Sequence, residues 1–104
     1  MRIGLIGGVE RSETAYRELA DHYGHQLDFH SGHTGGRGSA RLATIGRNVD
    51  MMIVVTDVNS HGAVQLARKV ARASGVPVIL HRRCSPARFG AILADIGSGQ
   101  RAAG

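Results

Sequence analysis

The sequence predicts a small three-layer α/β domain of Rossmann-like type, a four-stranded parallel sheet in the order 2-1-3-4 flanked by helices. Three observations carry this prediction. Short apolar runs and amphipathic segments alternate as β-α-β-α-β-α-β-α along the chain. The run Met51–Val55 is apolar without interruption, as a strand covered on both faces requires. A length of 104 residues fits one domain.

The elements follow in order. Arg2–Ile6 reads as a buried strand that ends in Gly7-Gly8. Residues 11–23 read as a helix, because Tyr16, Leu19, Ala20 and Tyr23 recur at helical spacing and Gly24 is placed to end it. A short strand over 25–29 alternates through Leu27 and Phe29, and a glycine-rich loop over 31–38 follows. Residues 39–46 read as a short helix. Ser60 is placed to cap a helix over 61–74 that buries Ala63, Val64, Ala67, Val70 and Ala71. Gly75 stops it, and residues 76–80 form the last strand. Ser85-Pro86 is an N-cap with a first-turn proline, and Phe89, Ile92, Leu93 and Ile96 mark the core face of the final helix. The domain is read as residues 1–96, with 97–104 as a patternless tail. A four-stranded open sheet has two edges, which favours a homo-oligomer.

Composition narrows the function classes. A net charge of +5 raises the prospect of nucleic acid, yet the arginines are spread along the chain and there are only two Phe and two Tyr. The expectation is therefore no specific nucleic acid, only weak and sequence-blind attraction. A single cysteine, Cys84, allows no internal disulfide, which suits a reducing cytoplasm. No apolar run reaches the roughly 20 residues of a membrane span.

Ligands of open parallel sheets bind beyond the carboxyl ends of the strands, near the switch in strand order. The topology brings several groups to that rim: Gly7, Gly8 and Glu10; His30 and His33; Asp57, Asn59, Ser60 and His61; His81, Arg82, Arg83 and Cys84. His22 and His25 fall at the opposite rim. Gly7-Gly8 before a helix, with Ser60, suits an anion. The spacing matches neither a dinucleotide fingerprint nor a phosphate loop. Imidazoles of His61, His30 and His33 suit a transition-metal ion or the iron of a haem, with Arg82 and Arg83 holding an anionic group such as a propionate.

Enzyme readings fare worse. Asp57 lacks the acidic pair and the lysine that a phospho-accepting receiver needs. Cys84 and Arg88 lack phosphatase spacing, and Ser60 is accounted for by capping. The expectation is a non-catalytic binding module for haem or a transition-metal ion. The alternatives are a sensor of a nucleotide or phosphorylated metabolite and a scaffold without a ligand.

Gly7-Gly8, Tyr16, Leu19, His30-x-Gly32, Asp50, Asp57, Ser60-His61 and Pro77-Val78 together resemble the bacterial domain-of-unknown-function family 2325, over about residues 2–95. The resemblance implies the same fold and a bacterial, cytoplasmic setting. It implies no catalytic residue.

Overall fold

The computed structural model describes residues 1–33, 35–57 and 61–103, the side chains of His61 and of residues 97–103 excepted. Strands β1 (Arg2–Ile6), β2 (Gln26–His30), β3 (Met51–Val55) and β4 (Val78–His81) form a four-stranded sheet in the order β2-β1-β3-β4. All three pairings are parallel, with Ile3 beside Leu27 and Met51, and Val54 beside Leu80. Helices α1 (Glu13–His22), α2 (Gly38–Asn48), α3 (His61–Ser74) and α4 (Pro86–Ala103) connect and follow the strands, and a single 3₁₀ turn over Glu10–Ser12 precedes α1. The predicted fold class and strand order are those observed.

The alternation of side chains across each strand creates two cores. One lies under α1 and α4 and contains Leu5, Tyr16, Phe29, Ile53, Phe89 and Leu93. The other lies under α2 and α3 and contains Ile6, Leu42, Ile45, Met52, Val54 and Ala67. All five residues of β3 are buried, as its apolar run required. Gly24 and Gly75 adopt the left-handed backbone that ends α1 and α3. Ser85 caps α4, its Oγ accepting the Arg88 amide at 3.2 Å.

Several boundaries differ from those read in the sequence. Strand β2 runs one residue further, because His30 pairs with Ile6. Strand β4 starts at Val78, because Pro77 has no amide proton to give the ladder. Helix α2 runs from Gly38 to Asn48, longer at both ends than predicted. The backbone of α4 stays helical past Ile96 to Ala103. No helix among the described residues is long and apolar enough to cross a membrane.

Candidate functional site

The C-terminal rim of the sheet is built by the turns after each strand. After β1, Gly7 takes φ 88°, and its amide donates to the carbonyl of His30 at 2.7 Å. Gly8 is buried, and a Cβ there would meet Phe29, Leu5 and Tyr16 side-chain carbons within 2.9–3.1 Å. The Val9 amide donates to the Tyr16 hydroxyl at 3.2 Å. Gly7-Gly8 is thus set by close packing and by amides already engaged within the protein, and the free cradle of amides expected for an anion is reduced accordingly.

Tyr16 ties this turn to the next wall. Its ring is fully buried, stacked on Phe29 and edge-on to Phe89. Its hydroxyl donates to the Cys84 carbonyl at 2.6 Å while accepting from Val9. One side chain therefore holds the β1–α1 turn at a fixed distance from the β4–α4 loop. Between them opens a cleft of about 460 Å³, walled by Gly7, Val9, Val55 and Cys84 and edged by Asp57, Arg83 and Ser85. Cys84 is 5% exposed, and burial pushes its thiol up to about 11, which disfavours the reactive thiolate.

A second recess of about 550 Å³ adjoins the first and shares Arg83 and Ser85 with it. His81, Arg82 and Arg88 complete its lining. Asp57 faces both arginines of the loop: Arg83 Nε donates to Oδ2 at 3.1 Å, and Arg82 Nε lies 3.6 Å from Oδ1. The Asp57 amide in turn donates to the Arg82 carbonyl at 3.0 Å, which fixes the two segments together. The two arginine side chains are 86% and 88% exposed, so the pairing with Asp57 is weak and leaves them available.

Among the described residues the histidines do not gather. His30 is 2% exposed and is the buried polar residue at the end of β2. Its Nδ1 accepts from the Gly32 amide at 2.9 Å, and its Nε2 donates to the Gly38 carbonyl at 2.7 Å. A neutral ring with both nitrogens committed is a clamp for the glycine loop. His33 is exposed on that loop. His25 lies at the opposite rim, with Nδ1 3.0 Å from the Met1 ammonium. His61 opens α3, and its side chain lies outside the described residues, as does the whole of Ser60. Among the described residues no three His, Cys, Asp or Glu side chains stand close enough to hold a metal ion.

Of the predicted site residues, the structure brings Gly7, Arg82 and Arg83 to one place, buries Gly8 and His30 beside it, and leaves His33 on the loop. Asp57 as the partner of the arginines, and Val9, Val55 and Arg88 as lining, were not singled out in the sequence. Only the register of β3 against β4 places Asp57 beside Arg82 and Arg83.

No match is found among curated proteins or among solved structures. A family profile does match, over residues 2–96, and its family is described as an uncharacterized protein conserved in bacteria. With nearly the whole fold inside that match, the chain belongs to domain-of-unknown-function family 2325.

Proposed function

We propose that this chain is a non-catalytic binding module that takes a small anionic ligand with an apolar body at the C-terminal rim of its sheet. One observation supports this above all: an apolar cleft and an arginine-lined recess open side by side and share Arg83 and Ser85. The apolar body would sit against Gly7, Val9, Val55 and Cys84. The acidic groups would face Arg82, Arg83 and Arg88, where among the described residues Asp57 is the one carboxylate in the lining of the two recesses.

Two ligand types share this chemistry. A haem presents two propionates and an apolar ring, and in that form His61 is the axial candidate, with His33 next. His30 is set aside because both of its ring nitrogens hold the loop. A nucleotide or phosphorylated metabolite presents phosphate and a base, and would use the same arginines. In a cleft this small a haem would have to lie partly between two copies. A homo-oligomer is therefore part of this reading, and of the two sheet edges β2 is capped by Arg17, whose Nη1 donates to the Leu27 carbonyl, whereas β4 exposes Leu80.

An absorbance spectrum with elemental analysis of freshly purified protein separates the two types. Titrations with haemin and with ATP then measure affinity for wild type and for Arg82→Gln/Arg83→Gln. The expected result is binding of one ligand, weakened at least about tenfold by the double substitution, about 1.4 kcal/mol. With haem, His61→Ala removes the Soret band and leaves the circular dichroism unchanged. Binding of neither ligand, or affinity indifferent to both arginines, refutes the site.

A further inference from the structure

The acidic residues of this chain are unevenly placed. Glu10, Glu13, Glu18 and Asp21 stand on the 3₁₀ turn and α1, and Asp95 stands on α4. Helices α2 and α3 contain no Asp or Glu at all. They carry instead Arg41, Arg47, Arg68, Lys69 and Arg72, with Arg37 immediately before α2, and all six are exposed. None of the six forms an ion pair with a carboxylate of the described residues. Arg47 reaches only the Thr44 hydroxyl, at 3.3 Å.

These two helices lie on the same face of the sheet and pack against each other. Their contact is close because a Cβ at Gly46 would run into the Val70 side chain. The exposed cations of the two helices are thereby carried on the same side of the sheet. Asp28 leaves β2 on this side and borders Arg41, but Arg2 takes both of its oxygens, at 2.9 and 3.1 Å. Six of the thirteen Lys and Arg residues thus stand on one side of the sheet, away from most of the acids.

We propose that the outer surface of α2 and α3 binds the phosphate backbone of a nucleic-acid duplex without regard to sequence. Unpaired exposed cations on rigid helices make a standing positive field that favours a polyanion. A duplex carries one negative charge per about 1.7 Å of axis, so a row of cations about 6 Å apart on a helix meets phosphate wherever it lands. Single strands are held by exposed aromatic rings. Tyr16, Phe29 and Phe89 are buried in the opposite core, and Tyr23 follows α1. A membrane surface would call for apolar side chains between the cations. Among the described residues the exposed large apolar ones are Met1, Val9, Tyr23 and Leu80, none of them on α2 or α3.

Fluorescence anisotropy of a labelled duplex of arbitrary sequence, as DNA and as RNA, tests the proposal across a salt series. Four neutralised phosphates give a log–log slope of about −3.6, so affinity falls about a hundredfold between about 50 and about 200 mM salt. The triple substitution Arg68→Gln/Lys69→Gln/Arg72→Gln is expected to weaken binding at least about tenfold at low salt and to remove most of the slope. Arg11→Gln, on the 3₁₀ turn of the opposite layer, is expected to leave duplex affinity within about twofold, since that residue is not on this face. Circular dichroism confirms that each exposed substitution leaves the fold intact. Absence of duplex binding at low salt, insensitivity to the triple substitution, or an equal loss in the Arg11 variant overturns the proposal. Tighter binding to phosphatidylserine vesicles than to duplex, lost in the same triple variant, overturns it in favour of a membrane surface.

Discussion

The α1–α4 layer buries aromatic rings, with Tyr16 and Phe89 meeting edge to face at 5.5 Å and Tyr16 stacking on Phe29 of β2. The α2–α3 layer buries only aliphatic chains and a glycine contact. The difference extends outward. The aromatic layer carries mixed charge and, through the Tyr16 hydroxyl, a polar link to both walls of the rim cleft. The aliphatic layer carries only cations on its helices. One sheet thus separates a layer whose Tyr16 ties together the walls of the rim cleft from a layer whose helices carry cations and no acids.

The largest expected effect tests the aromatic layer. Phe89→Ala removes a fully buried ring that Tyr16 packs against. It should cost about 3–5 kcal/mol in denaturant unfolding, a large share of the roughly 5–15 kcal/mol of a whole domain. Gly46→Ala probes the other layer. The added methyl meets the stiff Val70 side chain and should cost about 1–3 kcal/mol by overpacking, offset by about 1 kcal/mol of helix propensity. Adding Val70→Ala to Gly46→Ala should recover part of the loss as a positive coupling. Stabilisation by Gly46→Ala alone would mean that the helices do not meet there.

The next effect depends on pH and belongs to the aromatic side alone. Burial raises the Cys84 thiol from 9.0 to about 11, with Arg88 opposing the shift. The unfolded thiol ionises near 9 while the folded one stays neutral. The contribution is therefore intact below about pH 9 and is lost as pH climbs toward about 11, at up to about 1.4 kcal/mol per pH unit. The Tyr16 phenol, also raised by burial, acts in the same direction above its own range. Unfolding free energies of wild type and Cys84→Ala, compared from pH 8 upward, should differ in slope in that window. Equal slopes would show that Cys84 meets solvent, and a thiol reagent would then modify the native protein readily.

Much of this architecture is legible in the sequence, because burial leaves a pattern there. The continuous apolar run of β3 and the glycines after α1 and α3 each have a local physical cause. The site is less legible, since its partners meet through register. His30 sits one residue beyond the visible alternation of β2, and only its pairing with Ile6 shows it to be buried. Gly46 looks like the end of a weak helix, yet the approach of Val70 is what requires it. The Tyr16 ring is visible as a helix-face residue, but the two loops that its hydroxyl joins are 75 positions apart in sequence, Val9 and Cys84. The charge asymmetry was available in principle: counting acids helix by helix, rather than along the chain, reveals that α2 and α3 have none.

The smallest expected effect is the most direct test of that asymmetry, because the sign differs between the layers. In α1, Arg17 donates to Glu13 one turn earlier, an i, i+4 pair of exposed side chains, and Glu13 also stands in the first turn where the helix dipole favours an anion. Glu13→Gln should therefore cost about 0.3–0.5 kcal/mol at low salt. Glu13 is the better probe than Arg17, since Arg17 also binds the Leu27 carbonyl and its loss would uncap β2. In α3, Arg68 and Arg72 are one turn apart with Lys69 adjacent and no carboxylate on the helix. Like charges at that spacing repel by a similar amount, so Arg68→Gln should stabilise by about 0.2–0.5 kcal/mol at low salt. Arg68 is preferred to Arg72, whose place in the last turn lets the dipole favour its charge. Both effects should shrink toward zero as salt shortens the Debye length from about 30 Å at 0.01 M to about 3 Å at 1 M. Chemical denaturation of the two variants across that range gives converging lines of opposite sign. Two losses, one in each layer, would mean that Arg68 has an anionic partner in solution, and the basic face would lose its claim to a standing positive field.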